Sequence, residues 1–93
     1  MNLQDYRREI DEIDGQLVSL FEKRMTICAE IAAYKRENGL PVSDSRREQE
    51  KLDALAASVP PAMSEDVQAL YREIFRLSRA YQQRLLDGEE TLC

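Results

Sequence analysis

Residues 3–38 read LQDYRREIDEIDGQLVSLFEKRMTICAEIAAYKREN, and the spacing of their apolar side chains decides the fold. Ile10, Ile13, Leu17 and Leu20, then Ile27, Ile31 and Tyr34, follow one another in steps of three and four. That is the period of an α-helix with one apolar face. Asn2 is a ready N-cap. Asn38-Gly39 followed by Pro41 is a stop, with glycine free to take the left-handed position after the last turn. Gly15 weakens the helix interior slightly and is the place where so long a helix would bend.

Working outward, a second helix is expected over residues 45–58. Asp44 or Ser45 can cap it, and Ser45 with Glu48 has capping-box spacing. The segment is polar early, then carries Leu52, Leu55 and Ala56 before Pro60-Pro61 ends it. A third helix is expected over 65–86, with Ser64 as cap and Glu65 and Asp66 favourable in the first turn. Val67, Leu70, Ile74, Leu77, Tyr81 and Leu85 form its stripe, and residues 88–93 read as a short tail. Nothing alternates with the period of a strand, and there is no internal repeat. The fold class is therefore all-α: a single domain over residues 1–93 with a long first helix, a short second and a medium third.

The length of the first helix carries a further implication. About 35 helical residues span roughly 50 Å. A compact globule of this chain length has a radius of gyration near 12 Å, hence a diameter of roughly 32 Å. The helix overhangs such a body with its apolar stripe uncovered, and pairing with a second copy buries the overhang.

The composition narrows the function classes. The chain has 93 residues and a net charge of −5, against the basic excess that nucleic-acid binding requires. No apolar run approaches membrane-spanning length, and Met1–Asp5 is not the start of a signal peptide; the expected location is the cytoplasm. Of the two cysteines, Cys28 reads as a core thiol and Cys93 as incidental, with no disulfide framework between them. Histidine is absent, and no Cys, Asp and Glu cluster has metal-ligand spacing, so neither a metal nor a cofactor is expected.

Several polar residues sit where the helical period asks for apolar ones. Arg24 stands four residues after Leu20, and Lys35 four after Ile31. Eleven residues apart, they point the same way, roughly 16 Å from each other along the axis. A small anion fits between two such side chains. The plainer alternatives are an internal salt bridge or snorkelling to solvent, and for Lys35 the favourable helix C-terminus. Arg7 borders the same stripe about 25 Å away, so it cannot grip one small molecule together with Arg24 of its own chain. It can if a second first helix runs antiparallel. Ser78 and Gln82 share a face of the third helix, and Arg47 and Glu48 occupy the first turn of the second; a solvated polar edge is the plain reading of both pairs.

Taken in order, these residues resemble the all-helical family of chorismate mutases. The pieces are Arg7-x-x-Ile10-x-x-x-Asp14, Leu17-x-x-Leu20-x-x-x-Arg24, Lys35, Pro41-Val42-x-Asp44-x-x-Arg47-Glu48 and Ser78-x-x-x-Gln82. Each piece is weak alone; together they cover residues 3 to 86. The resemblance implies an isomerase that rearranges chorismate to prephenate without a cofactor, in the biosynthesis of aromatic amino acids. It also implies an intertwined homodimer whose long helices pair antiparallel. By carry-over, Arg24 and Arg7 of the second copy bind the two substrate carboxylates, and Lys35 and Gln82 donate to the ether oxygen. Asp44, through its backbone, and Glu48 hold the ring hydroxyl, while Arg47 and Ser78 complete the carboxylate end. Ser43 departs from the arginine many bacterial members carry there, which leaves its contact to Arg24, Arg46 or Arg47.

The implied chemistry is pericyclic, with no proton transfer and no covalent intermediate. It needs a substrate held in its compact conformer and fixed donors facing the charge that develops on the ether oxygen. Two other readings compete. An isochorismate-pyruvate lyase uses a similar cationic pocket on the same fold. A non-catalytic helical dimerisation or regulatory module of an aromatic-pathway enzyme would prefer Leu or Ile to Arg24. The chain, from Met1 to an end soon after the third helix, reads as a stand-alone domain, with a larger aromatic-pathway enzyme as a conceivable partner.

Overall fold

The computed structural model describes residues 1–88 and holds three helices, α1 (Leu3–Glu37), α2 (Ser45–Ala57) and α3 (Pro61–Leu86), with no strand among the described residues. Cys93 and the rest of the expected tail beyond Gly88 lie outside them. Asn2 caps α1 reciprocally. Its side chain accepts the Asp5 N–H at 3.0 Å, and the Asp5 carboxylate accepts the Asn2 N–H at 3.0 Å. Two donors that no helix can satisfy internally are thereby paired. The helix continues through Gly15. The longest dimension of the molecule, 53 Å, is that of 35 residues in a straight helix, about 52 Å. No bend at Gly15 folds it back. Gly39 then turns the chain at φ 65°, the left-handed conformation expected of it.

Asp44 caps α2, its carboxylate accepting the Arg47 N–H at 3.0 Å. The alternative box between Ser45 and Glu48 does not form, because Glu48 pairs with Arg79 of α3 instead. The expected start of α3 needs correction. It begins at Pro61, four residues before Glu65, and Ser64 is not its cap. Proline at the first helical position lacks an N–H that would be unpaired there in any case, and its fixed φ suits the helix. Pro60-Pro61 thus ends one helix and opens the next. The Ser64 hydroxyl accepts from Gln68 Nε2 at 3.2 Å inside the helix.

Helix α3 is the hub. Both α1 and α2 pack on it, and they make no helix contact with each other. The result is a slab of 53 × 34 × 14 Å with a radius of gyration of 16.5 Å, well above the roughly 12 Å of a compact chain this long. The buried apolar residues are Cys28, Ala32, Leu52 and Phe75, joined by the polar Ser78 and Gln82. Small side chains at Cys28 and Ala32 form the contact face of α1. The stripe legible in the sequence is a different face: every residue from 6 to 20 is exposed, and Ile10, Ile13, Leu17 and Leu20 are each more than half so. Among the described residues no helix is long and apolar enough to cross a membrane.

Gly39 gives a local test. A Cβ there meets nothing within 4 Å, so any cost of substitution is conformational. Gly39→Ala should destabilise the fold by about 1 kcal/mol, the cost of a left-handed non-glycine residue, read as a lower urea midpoint with unchanged slope at fixed protein concentration.

Candidate functional site

The site follows from where α3 places its neighbours. Its C-terminal half runs beside the C-terminal half of α1, while α2 and the 38–44 connection close a third side. Between them is a cavity of about 350 Å³, within the range of small-molecule sites.

Its floor is polar and buried. Ser78 and Gln82, one turn apart, are 7% and 5% exposed, not the solvated edge that their sequence context allowed. Gln82 Nε2 donates to Ser78 Oγ at 3.0 Å, and Ser78 Oγ lies 3.0 Å from Cys28 Sγ on α1. Gln82 Oε1 is buried with no hydrogen-bond partner. An unmet buried acceptor costs about 1–3 kcal/mol. A half-turn of the amide keeps the Ser78 contact, with Oε1 now accepting from the hydroxyl, and offers Nε2 to the cavity as a donor. In either orientation one end of the amide awaits a ligand.

The walls are cationic. Arg24 lies over the Phe75 ring, its guanidinium carbon 5.7 Å from the centroid, a placement stabilised by cation–π attraction. Its Nη1 reaches Cys28 Sγ at 3.7 Å. Lys35 donates to the Val42 carbonyl at 2.8 Å, pinning the connection that carries Asp44 over the cavity mouth. Arg47, Lys51 and Arg79 also line the cavity, against the two carboxylates Asp44 and Glu48. Five cations against two anions leave a local excess of three positive charges in a chain of net charge −5. Arg79 is paired with Glu48. Arg24, Arg47 and Lys51 take part in no salt bridge among the described residues. Arg24 and Lys51 are half-buried and Arg47 is exposed at the rim; half-buried cations without counterions favour a small anionic ligand. Among the described residues no cluster suited to a metal ion occurs.

Of the residues singled out from the sequence, Arg24, Lys35, Asp44, Arg47, Glu48, Ser78 and Gln82 all line this one cavity. Arg7 does not. It sits on the exposed half of α1, about 25 Å along the axis from Arg24. Arg46 pairs with Glu50 on the outside at 3.1 Å, which leaves Arg47 as the α2 arginine facing the cavity. Sequence reasoning missed Lys51, Arg79, Phe75 and the cavity-facing position of Cys28. Lys51 follows Arg47 by four and Cys28 follows Arg24 by four, so helical spacing was an available signal for both. Arg79 precedes Gln82 by three and carried the same kind of signal.

The fold and cavity define an all-helical protein with a cleft whose lining carries more cations than anions. The chain matches the family described as chorismate mutase type II over residues 6–83 and belongs to that family. It is 36% identical over 92 residues to the T-protein of Enterobacter agglomerans, covering 94% of this chain and 23% of that protein. It is 34% identical over 70 residues to the T-protein of Haemophilus influenzae, covering 70% of this chain and 19% of that protein. A chorismate mutase of Methanocaldococcus jannaschii is 35% identical over 46 residues, covering half of this chain and 46% of that protein. The chain thus spans about a fifth of the length of the T-proteins it matches. No solved structure matches it.

The unmet amide oxygen predicts a trade between stability and ligand binding. Gln82→Met keeps the shape and removes the orphaned acceptor, at the expense of one hydrogen bond. It should raise stability by roughly 1 kcal/mol, measured as a higher unfolding midpoint without ligand, and should reduce any ligand-induced rise of that midpoint.

Proposed function

We propose that this chain is a chorismate mutase domain over residues 1–93, an isomerase that converts chorismate to prephenate as a homodimer in the cytoplasm. The observation that carries the reading is the pairing of uncompensated cations with the unmet Gln82 amide in one cavity. Chorismate is a dianion whose ether oxygen gains negative charge as its C–O bond breaks and a C–C bond forms. Arg24 holds one carboxylate through its planar fork, with Arg47 and Ser78 at the same end. Lys35 and the Gln82 amide donate to the ether oxygen, where donors fixed in advance stabilise developing charge. The Asp44 backbone and Glu48 take the ring hydroxyl. Anchoring both ends keeps the substrate in its compact reactive conformer.

The second carboxylate is assigned to Arg7 of a second copy. The exposed stripe of α1 supports this assembly, and so does the total surface. The chain exposes 7235 Å², about 1,700 Å² more than a compact monomer of its mass. That excess is ample for one side of an obligate interface. If two α1 helices lie antiparallel so that Arg7 of one is level with Arg24 of the other, the two-fold axis falls between Gly15 and Gln16. Gly15 has open space around its missing Cβ, as a close helix crossing requires. The T-protein relatives support a setting in which such a domain works within a larger enzyme.

The direct test is loss of chorismate absorbance with prephenate as product. Arg24→Ala should lower kcat/KM by about 10²–10³-fold, the scale of one lost charge-stabilising contact. Release of pyruvate from isochorismate, with chorismate untouched, would instead assign the lyase activity. The assembly has its own test. Leu17→Glu should leave the protein monomeric at micromolar concentration in sedimentation experiments and remove turnover, whereas a monomeric wild type with full activity would refute the shared site.

A further inference from the structure

Arg24, Cys28, Ser78 and Gln82 form an unbroken run of polar contacts along the cavity floor, at 3.7, 3.0 and 3.0 Å. Cys28 is the link between the α1 half and the α3 half. Its neighbour one turn on, Ala32, meets the same helix with a methyl group and is 1% exposed. Packing alone therefore does not call for a thiol.

The protons in this run have a direction. Arg24 has no acceptor, so its contact with Cys28 Sγ occupies a sulfur lone pair and leaves the S–H to act as donor. Toward Ser78 Oγ, at 3.0 Å, the S–H finds an acceptor. Ser78 has a single hydroxyl proton. Once its oxygen accepts from Cys28, that proton is free to be donated to Gln82 Oε1. The amide then turns its Nε2 toward the cavity. If Ser78 instead spends its proton on the sulfur, Gln82 must donate to Ser78, and the orphaned Oε1 faces the ligand. A carbonyl oxygen there repels the oxygen on which charge develops.

We propose that Cys28 is a positioning residue whose S–H donates to Ser78 Oγ and so directs the Ser78 hydroxyl to donate to Gln82 Oε1, setting the Gln82 amide with its N–H₂ toward the reacting oxygen. The inference rests on the mutase reading above and deepens it. Cys28 itself touches no reacting atom; its effect is felt in the chemical step, not in binding of the carboxylates.

The test compares Cys28→Ala, Cys28→Val and Cys28→Ser for kcat and KM separately. Alanine and valine remove both donor and acceptor, and valine does so without leaving a void. Each should lower kcat about tenfold, the factor associated with one net hydrogen bond, with KM within about twofold of wild type. Serine retains a donor and an acceptor and should restore kcat to within about threefold. Wild-type kcat in the alanine and valine variants would overturn the inference, and so would a serine variant as slow as alanine at equal unfolding midpoint. The two readings fail differently. A wild type that turns over chorismate while all Cys28 variants match it sinks this inference alone; a wild type inert toward chorismate sinks the mutase reading and this inference with it.

Discussion

The length of α1 governs the rest of the molecule. A straight 35-residue helix extends well past what a 26-residue α3 and a 13-residue α2 can cover. The chain therefore adopts a slab, not a globule, and leaves one half of its longest element bare. The covered half of α1 carries the small contact residues Cys28 and Ala32. The large branched residues, Ile10 to Leu20 on the bare half and Ile27 and Ile31 beside the contact, stay on the exposed face. Small residues let α1 approach α3 closely enough for Cys28 and Ser78 to touch, and that approach sets the depth of the cavity floor. Had the large stripe faced α3, the helices would stand farther apart and the floor would be lost.

Much of this was legible in the sequence, and the reasons differ from element to element. The ends of α1 were readable because Asn2 and Gly39 act through local backbone chemistry that no tertiary contact overrides. The start of α3 was not, because Pro60-Pro61 reads equally as a terminator and as an opening. The site was legible through an anomaly, a charged side chain at a position the helical period reserves for apolar ones. Arg24 stood out in that way, while Lys35, Ser78 and Gln82 only bordered the stripes. Lys51 and Arg79 carried only a spacing signal, four residues after Arg47 and three before Gln82, which puts them on those faces without showing that their long side chains enter the cavity. The choice of buried face on α1 was likewise hidden. Period alone selected the Ile and Leu stripe, whereas the intrachain contact uses the adjacent, smaller edge.

The electrostatics of the cavity sit against the balance of the whole chain. An overall negative charge repels anions at long range, and the local excess of cations within the cleft works against that repulsion. Four of those cations, Arg24, Lys35, Arg47 and Lys51, take part in no salt bridge among the described residues, which maintains that excess. Of the two carboxylates at the cavity, Glu48 is held by Arg79 from the opposite helix. That pair joins α2 to α3 at the cavity edge.

The Pro60-Pro61 joint also orders events in time. It makes α2 and α3 nearest neighbours along the chain, so their docking closes a very short loop and costs little chain entropy. The contact between Cys28 and Ser78 spans 50 positions and closes a far larger one. A helical hairpin of α2 and α3 is thus the piece that forms most readily. The cavity comes into being at the moment α1 docks on that hairpin, and assembly of the chain and creation of its site are the same late step.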